Sequence, residues 1–174
     1  MKKLVILGAG GYGQTIADVA AQSGKYDSIC FLDDHSTRQD VIGRCGDYAT
    51  FIAEDTVLYP AFGNNEIRLI WIEKLLAEGA DVLTLVHPTA YVSPRASMGA
   101  GTIVLPKAVV MTDAKVGKGV IVNCGAIVDH GCIIEDGVHV CLSAVVKAEN
   151  CIPRCMKVEA GEVIENRTYP LNGD

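Results

Sequence analysis

From Val92 to Tyr169 an aliphatic residue returns at every sixth position: Val92, Met98, Val104, Val110, Val116, Val122, Val128, Ile134, Val140, Val146, Ile152, Val158 and Ile164. Only Met98 departs from Val or Ile, and no insertion breaks the count. Four residues after each of these a second series is mostly small, running from Ala96 through Ala108, Ala126 and Cys132 to Ala144 before becoming Asn150, Met156 and Glu162. A helix repeats at 3.6 residues and an ordinary strand at 2, so neither accounts for a strict period of six. A parallel β-helix of hexapeptide repeats does: three hexads make one triangular coil, β-branched residues fill the interior, and small residues sit where the chain turns.

The residues before the hexads carry a different rhythm. Lys3 to Leu7 reads as a buried strand, Gly8-Ala9-Gly10-Gly11-Tyr12-Gly13 as a loop, and Gln14 to Gln22 as a helix. Strand, glycine loop and helix in that order suit a phosphate, because small residues let the backbone approach and the helix start offers free N–H groups. A second strand, Ile29 to Leu32, ends in Asp33-Asp34, an acid pair placed to accept a hydrogen bond from a ribose hydroxyl. Thr56 to Ala61 predicts a third strand, Asn65 to Glu78 a helix and Val82 to Leu85 a fourth strand. Gly63 and Asn64 follow the third strand, at the carboxyl edge where open α/β sheets bind ligands. The expected organisation is an α/β Rossmann-like half domain over residues 1–86 and an all-β parallel β-helix over residues 87–174.

Composition narrows the function. A formal charge of −6 with no basic cluster argues against a nucleic-acid surface. No apolar segment approaches a membrane span, and the start MKKLVILGAGGYG is too short and glycine-broken for a signal peptide, so a cytoplasmic protein is expected. Seven irregularly spaced cysteines suit reduced, mostly buried thiols, and no metal site is expected. A nicotinamide-dependent oxidoreductase would share the glycine loop and the acid pair. The roughly 85 residues before the hexads hold only half of a doubly wound dinucleotide domain, which disfavours it.

The polar stretch of the repeat is NCGAIVDHGCIIEDGVH, Asn123 to His139. His130 and His139 fall outside the inward phase and should project from the rod, whereas Cys132 falls in the small inward series and should be filler. An imidazole titrates near neutrality and can take a proton from an attacking amine or hydroxyl.

The sequence GAGGYG, FLDD, FGNNEIR, HPTAYVSP and VNCGAIVDHGCIIEDGVHV, in that order, resembles the hexapeptide-repeat sugar O-/N-acetyltransferases with an N-terminal nucleotide-sugar-binding domain. That family includes sialic acid O-acetyltransferases and UDP-4-amino-sugar N-acetyltransferases of the bacillosamine type. The resemblance implies a left-handed β-helix, a homotrimer, and acetyl-CoA as co-substrate between neighbouring rods. It implies acetyl transfer to the amine of a UDP-linked amino sugar. The alternatives are a sialic acid or related sugar O-acetyltransferase and a catalytically weakened nucleotide-sugar-binding trimer. By the same resemblance His130 matches the general base, His139 a residue contacting acetyl-CoA, and Asn123 a residue lining the site. Gly10, Gly11, Tyr12, Asp33, Asp34 and Gly63 match positions that hold the nucleotide-sugar.

Three features depart from the family pattern. Gly131 stands where an acidic residue usually follows the base, leaving Asp129, or Glu135 and Asp136, as substitutes. Cys141-Leu142-Ser143 replaces a glycine-containing turn. The rod is expected to be shortened at its C-terminus, with Lys157 to Leu171 leaving it as an irregular strand.

Overall fold

The computed structural model describes residues 2–171, which form two units, one ending at Leu83 and one beginning at Thr84. In the first, β1 (Lys2–Leu7), β2 (Tyr26–Leu32), β3 (Val41–Gly43), β4 (Thr56–Pro60) and β5 (Asp81–Val82) form one parallel sheet in the order β3-β2-β1-β4-β5. Helix α1 (Gly11–Gln22) follows β1 and α2 (Asn65–Ala77) follows β4. Leu4, Val5, Ile6 and Leu7 of β1 are all fully buried, as expected of a central parallel strand covered on both faces. Leu7 pairs with Leu32 on one side and Pro60 on the other, so three strands end level. Their following loops, from Gly8, Asp33 and Ala61, therefore emerge side by side. The chain leaves β1 toward β2 on one side and later returns to β4 on the other, which opens a crevice at that edge.

Local differences from the sequence reading have identifiable causes. α1 begins at Gly11, not Gln14, because the glycines that lower helix propensity also let the first turn pack closely. The edge strand β3 and a 3-10 helix at Cys45–Phe51 have no periodic signal and were not expected. The fourth predicted strand divides: Asp81–Val82 joins this sheet, and Leu85–Val86 pairs with Ile103–Val104 as the first rung of the rod.

The second unit is the left-handed parallel β-helix. Its two-residue strands stack into three faces of five, five and four strands. Ile121–Val122 and His139–Val140 lie on the first face, Ile127–Val128 on the second and Ile133–Ile134 on the third. The sixfold series fills the interior: Val104, Val110, Val122, Val128, Val140 and Val146 are wholly buried. Each such side chain contributes about 1.5–3 kcal/mol relative to exposure. Turns recur between faces, and from Met98 onward the third residue after each inward position adopts a positive φ, at Gly125, Gly131 and Gly137 and also at Asp113, Ser143 and Glu149.

The expectation that Lys157 to Leu171 leaves the rod is overturned. Lys157–Val158 continues the first face and Val163–Ile164 the second, with Val158 fully buried. Asn150, a polar residue in the small series, is accommodated by the backbone. Its amide donates to Lys147 O and Glu165 O at 2.8 Å each and accepts from Tyr169 N–H at 2.9 Å. Three satisfied bonds remove the penalty that an unpaired buried amide would carry. Among the described residues no helix is long and apolar enough to cross a membrane.

Candidate active site

The edge of the first unit is built around Asp33. Its Oδ2 accepts from the Ala9 N–H at 2.7 Å, while Oδ1 accepts from His35 and Ser36 N–H at 2.9 and 2.8 Å. The Ala9 amide foremost, with the others, holds this carboxyl below the usual carboxylate range. Asp33 thus braces the glycine loop against the end of β2. Asp34 is exposed and accepts from Cys45 N–H at 3.2 Å. Because the folded value at Asp33 is the depressed one, its contribution is complete above the unfolded-chain value of about 3.9 and is lost only as pH falls through the lower folded value. Protection of the Ala9 and Ser36 amides from hydrogen exchange is therefore expected to persist down to about pH 4. A loss of protection near pH 5 would contradict the brace.

The glycines divide by role. Gly8 has φ +101°, and a β-carbon at Gly13 would lie 2.0 Å from Gly8 O, so both are required by the backbone itself. Gly10 and Gly11 are exposed, with nothing within 4 Å of a β-carbon, and Gly63 is the same. Gly10 is the N-cap of α1 with extended backbone and no side-chain cap, so the first N–H groups of the helix face outward unpaired by a cap. At α2 the cap is filled, with Asn64 Oδ1 accepting from Ile67 N–H at 2.9 Å. Tyr12 turns its ring inward, its hydroxyl 2.6 Å from that of Tyr59. Burial pushes the Tyr59 phenol up to about 12 and raises that of Tyr12 as well, so both stay neutral. What Tyr12 leaves at the edge is its main chain. Beside this pair Arg68, fully buried, donates to Phe62 O at 3.2 Å and Asn65 Oδ1 at 3.0 Å. Tyr59 and Arg68 were not singled out from sequence; only the placement of Arg68 one turn into α2 hinted at either.

On the rod, Asn123 and His139 meet. Asn123 N–H pairs with Val140 O across adjacent coils, and its Nδ2 lies 2.9 Å from His139 Nε2. Asn123 Oδ1 accepts from Cys124 N–H at 2.8 Å, which fixes the amide orientation. Nδ2 is then the donor, His139 Nε2 the acceptor, and the proton of the neutral ring sits on Nδ1. His130 is exposed at the next corner, on the opposite edge of the face that carries Ile127–Val128. The three polar residues therefore do not converge within one chain.

Each acid expected to replace one at Gly131 holds a backbone amide. Asp129 Oδ1 accepts from His130 N–H at 2.7 Å, Glu135 Oε2 from Arg154 N–H at 2.7 Å, and Asp136 Oδ1 from Lys118 N–H at 2.7 Å. Cys132 is buried, donates to Lys147 O, and has its thiol pushed up by burial, so it is filler. Among the described residues no group of three His, Cys, Asp or Glu gathers to hold a metal ion.

Residues 3–75 match the PglD N-terminal domain family. A UDP-N-acetylbacillosamine N-acetyltransferase from Bacillus subtilis (strain 168) is 31% identical over 112 residues, 60% of this chain; the chain spans 52% of that relative's length. The acetyltransferase domain of PglB from Neisseria gonorrhoeae FA1090 is 35% identical, with a TM-score of 0.91 over 96% of this chain and 84% of that one. The chain belongs to the bacillosamine-type sugar acetyltransferase family. The same PglB domain has been solved in complex with acetyl coenzyme A, and that structure matches at TM-score 0.89 over 95% of this chain and 83% of that one. As a bacillosamine-type family member the chain combines two features: glycine-loop backbone left open at a sheet edge, and imidazoles on a rigid repeat.

Proposed function

We propose that the protein transfers an acetyl group from acetyl-CoA to the amine of a UDP-linked amino sugar. The observation that carries this reading is the 35% identity, over 95% of the chain, to a domain solved with acetyl coenzyme A. The name of the Bacillus subtilis relative supports a UDP-linked amino sugar as acceptor. In the first unit the open glycines Gly10, Gly11 and Gly63, the main chain of Tyr12 and the exposed Asp34 hold the nucleotide-sugar, while Asp33 sets the loop. The N–H groups at the start of α1 suit the diphosphate.

On the rod His130 takes the proton from the acceptor nitrogen as that nitrogen bonds to the acetyl carbon; the C–S bond breaks, and the leaving thiolate receives that proton from the imidazolium and departs as the CoA thiol. His139, its tautomer fixed by Asn123, offers a neutral ring to acetyl-CoA. We further propose a cytoplasmic homotrimer. A reducing compartment suits seven cysteines that are not joined in disulfides. The outward ladder Tyr91, Val109, Ile127, Val145, Val163 is wholly apolar except for one phenol, and Tyr91 and Val163 are about half exposed, at 52% and 48%. Such a stripe suits burial against a second copy. Ile127→Asp is expected to convert the trimer to monomers by light scattering; an unchanged mass would remove the stripe as an interface.

The deciding assay incubates the protein with acetyl-CoA and a UDP-4-amino-sugar and follows thiol release and product mass. Acetylated amine with stoichiometric thiol is expected. Tight UDP-sugar binding without turnover would overturn the enzyme reading, and acetylation of a hydroxyl would move the protein to the O-acetyltransferases.

A further inference from the structure

The three level strand ends of the first unit give its ligand edge a direction. Asp34 lies just past β2, the glycine loop past β1 and Phe62 past β4, and β2 and β4 flank β1 on opposite sides. With a ribose at Asp34 and a diphosphate at the start of α1, a sugar beyond the diphosphate comes out on the β4 side. That order rests on the nucleotide-sugar reading of this edge.

Phe62 is the side chain placed there. Its ring is only partly buried, and its Cε1 lies 3.6 Å from where a β-carbon on Gly8 would be, so the ring leans over the turn that ends β1. The ring also packs against Trp71, with centroids 5.8 Å apart and planes tilted by 49°. Trp71 in turn stands edge-on to Tyr48 at 5.3 Å, which ties the series to the core. The main chain is pinned as well. The Phe62 carbonyl accepts from Nη1 of the wholly buried Arg68 at 3.2 Å, and the preceding Ala61 N–H donates to Leu7 O at 2.8 Å. Gly63, the next residue, has nothing within 4 Å of a β-carbon, so the space past the ring is open.

A ring whose backbone and neighbours are already fixed loses little freedom when a ligand covers it. Ligand sites combine such apolar and aromatic surface with a few placed polar groups. The C–H face of a hexose suits an aromatic surface, whereas a diphosphate does not. We propose that Phe62 is the wall against which the hexose of the nucleotide-sugar packs, its ring meeting the C–H face of the sugar and so helping to set which sugar the edge accepts.

Calorimetry without acetyl-CoA, with UDP and a UDP-4-amino-sugar as ligands of wild type, Phe62→Leu and Phe62→Tyr, tests it. Phe62→Leu keeps the apolar bulk and should weaken the UDP-4-amino-sugar roughly threefold to tenfold while leaving UDP unchanged. Unchanged UDP binding also shows that the edge of the variant is folded. Phe62→Tyr keeps the ring and should bind both ligands as wild type does. Equal losses for the two ligands would make Phe62 a support of the loop and overturn the proposal. So would no loss in Phe62→Leu, or a loss in Phe62→Tyr as large as in Phe62→Leu. Failure of wild type to bind UDP would instead overturn the nucleotide-sugar reading of the edge. Trp71, the only tryptophan of the chain, gives a second measurement that needs no variant. Its emission should change more with the UDP-4-amino-sugar than with UDP, because the sugar covers the ring 5.8 Å away. Equal changes with both ligands would put the nucleotide at Phe62 and sink the proposal.

Discussion

Replacing His130 with alanine is expected to lower kcat by roughly 10²–10⁴, the usual span for removing a general base, without loss of stability. The side chain is exposed at a corner of the rod, and no described residue hydrogen-bonds its ring. The neighbouring interior positions Val128 and Cys132 stay buried without it. Stability and rate therefore separate at this residue, and melting should coincide with wild type while thiol release from acetyl-CoA collapses. A rate within fivefold of wild type would remove His130 from the mechanism. His139→Ala should behave differently, weakening acetyl-CoA binding more than the chemical step, because its ring is held by Asn123 on the far edge of the same face.

The second large effect belongs to Gly13. An alanine there would put a β-carbon 2.0 Å from Gly8 O and 3.1 Å from Gly8 C, contacts that only backbone movement can relieve. Gly8 cannot yield easily, since its φ of +101° already makes it the hinge between β1 and the loop. Overpacking of this kind costs about 1–3 kcal/mol or more, equivalent to a fall of roughly 4–8 °C in Tm per kcal/mol for a unit of this size. Gly13→Ala should therefore lower the melting temperature and abolish UDP binding together. Gly10→Ala is the informative contrast. Its φ of −72° and open surroundings accept a β-carbon without strain, so folding should be untouched while calorimetry shows weakened UDP binding. If Gly10→Ala binds UDP as wild type does, the open glycines do not face the nucleotide. A Gly13→Ala protein that melts and binds normally would mean the loop tolerates a different path.

The rod was legible because its information is strictly local and repeated. Each inward Val or Ile is read from its own position, and from Val104 to Ile164 stacking adds no exception. Where the small series became Asn150 the pattern suggested that the rod ends, yet one side chain can satisfy three backbone groups, a fact that no periodicity encodes. The first unit was legible in its strands and in the glycine loop, but not in the division of labour among the glycines. Gly8 and Gly13 differ from Gly10 and Gly11 only through a contact between a strand end and a helix start. Tyr12 matches a nucleotide-sugar position by resemblance alone, and the contact of its hydroxyl with Tyr59, forty-seven residues away, has no local signal. The corner ion pairs Arg95–Asp113 and Glu149–Arg167 were hidden for the same reason. The members of each pair are eighteen apart, and only the coil makes them neighbours.

That eighteen-residue spacing also sets what kind of change the rod can absorb. Every ladder and corner is indexed in whole coils, so a length change of eighteen residues shifts the stack by one storey and keeps each inward position inward. A change of one or two residues at a corner is of another kind, since it rotates every later side chain to the wrong wall. Extra chain at a turn such as Lys107 or Ser143 avoids this only by looping out and rejoining in phase. The architecture thus behaves like a ruler whose graduations can be added but not stretched, and the height of His130 above the first rung is measured on it.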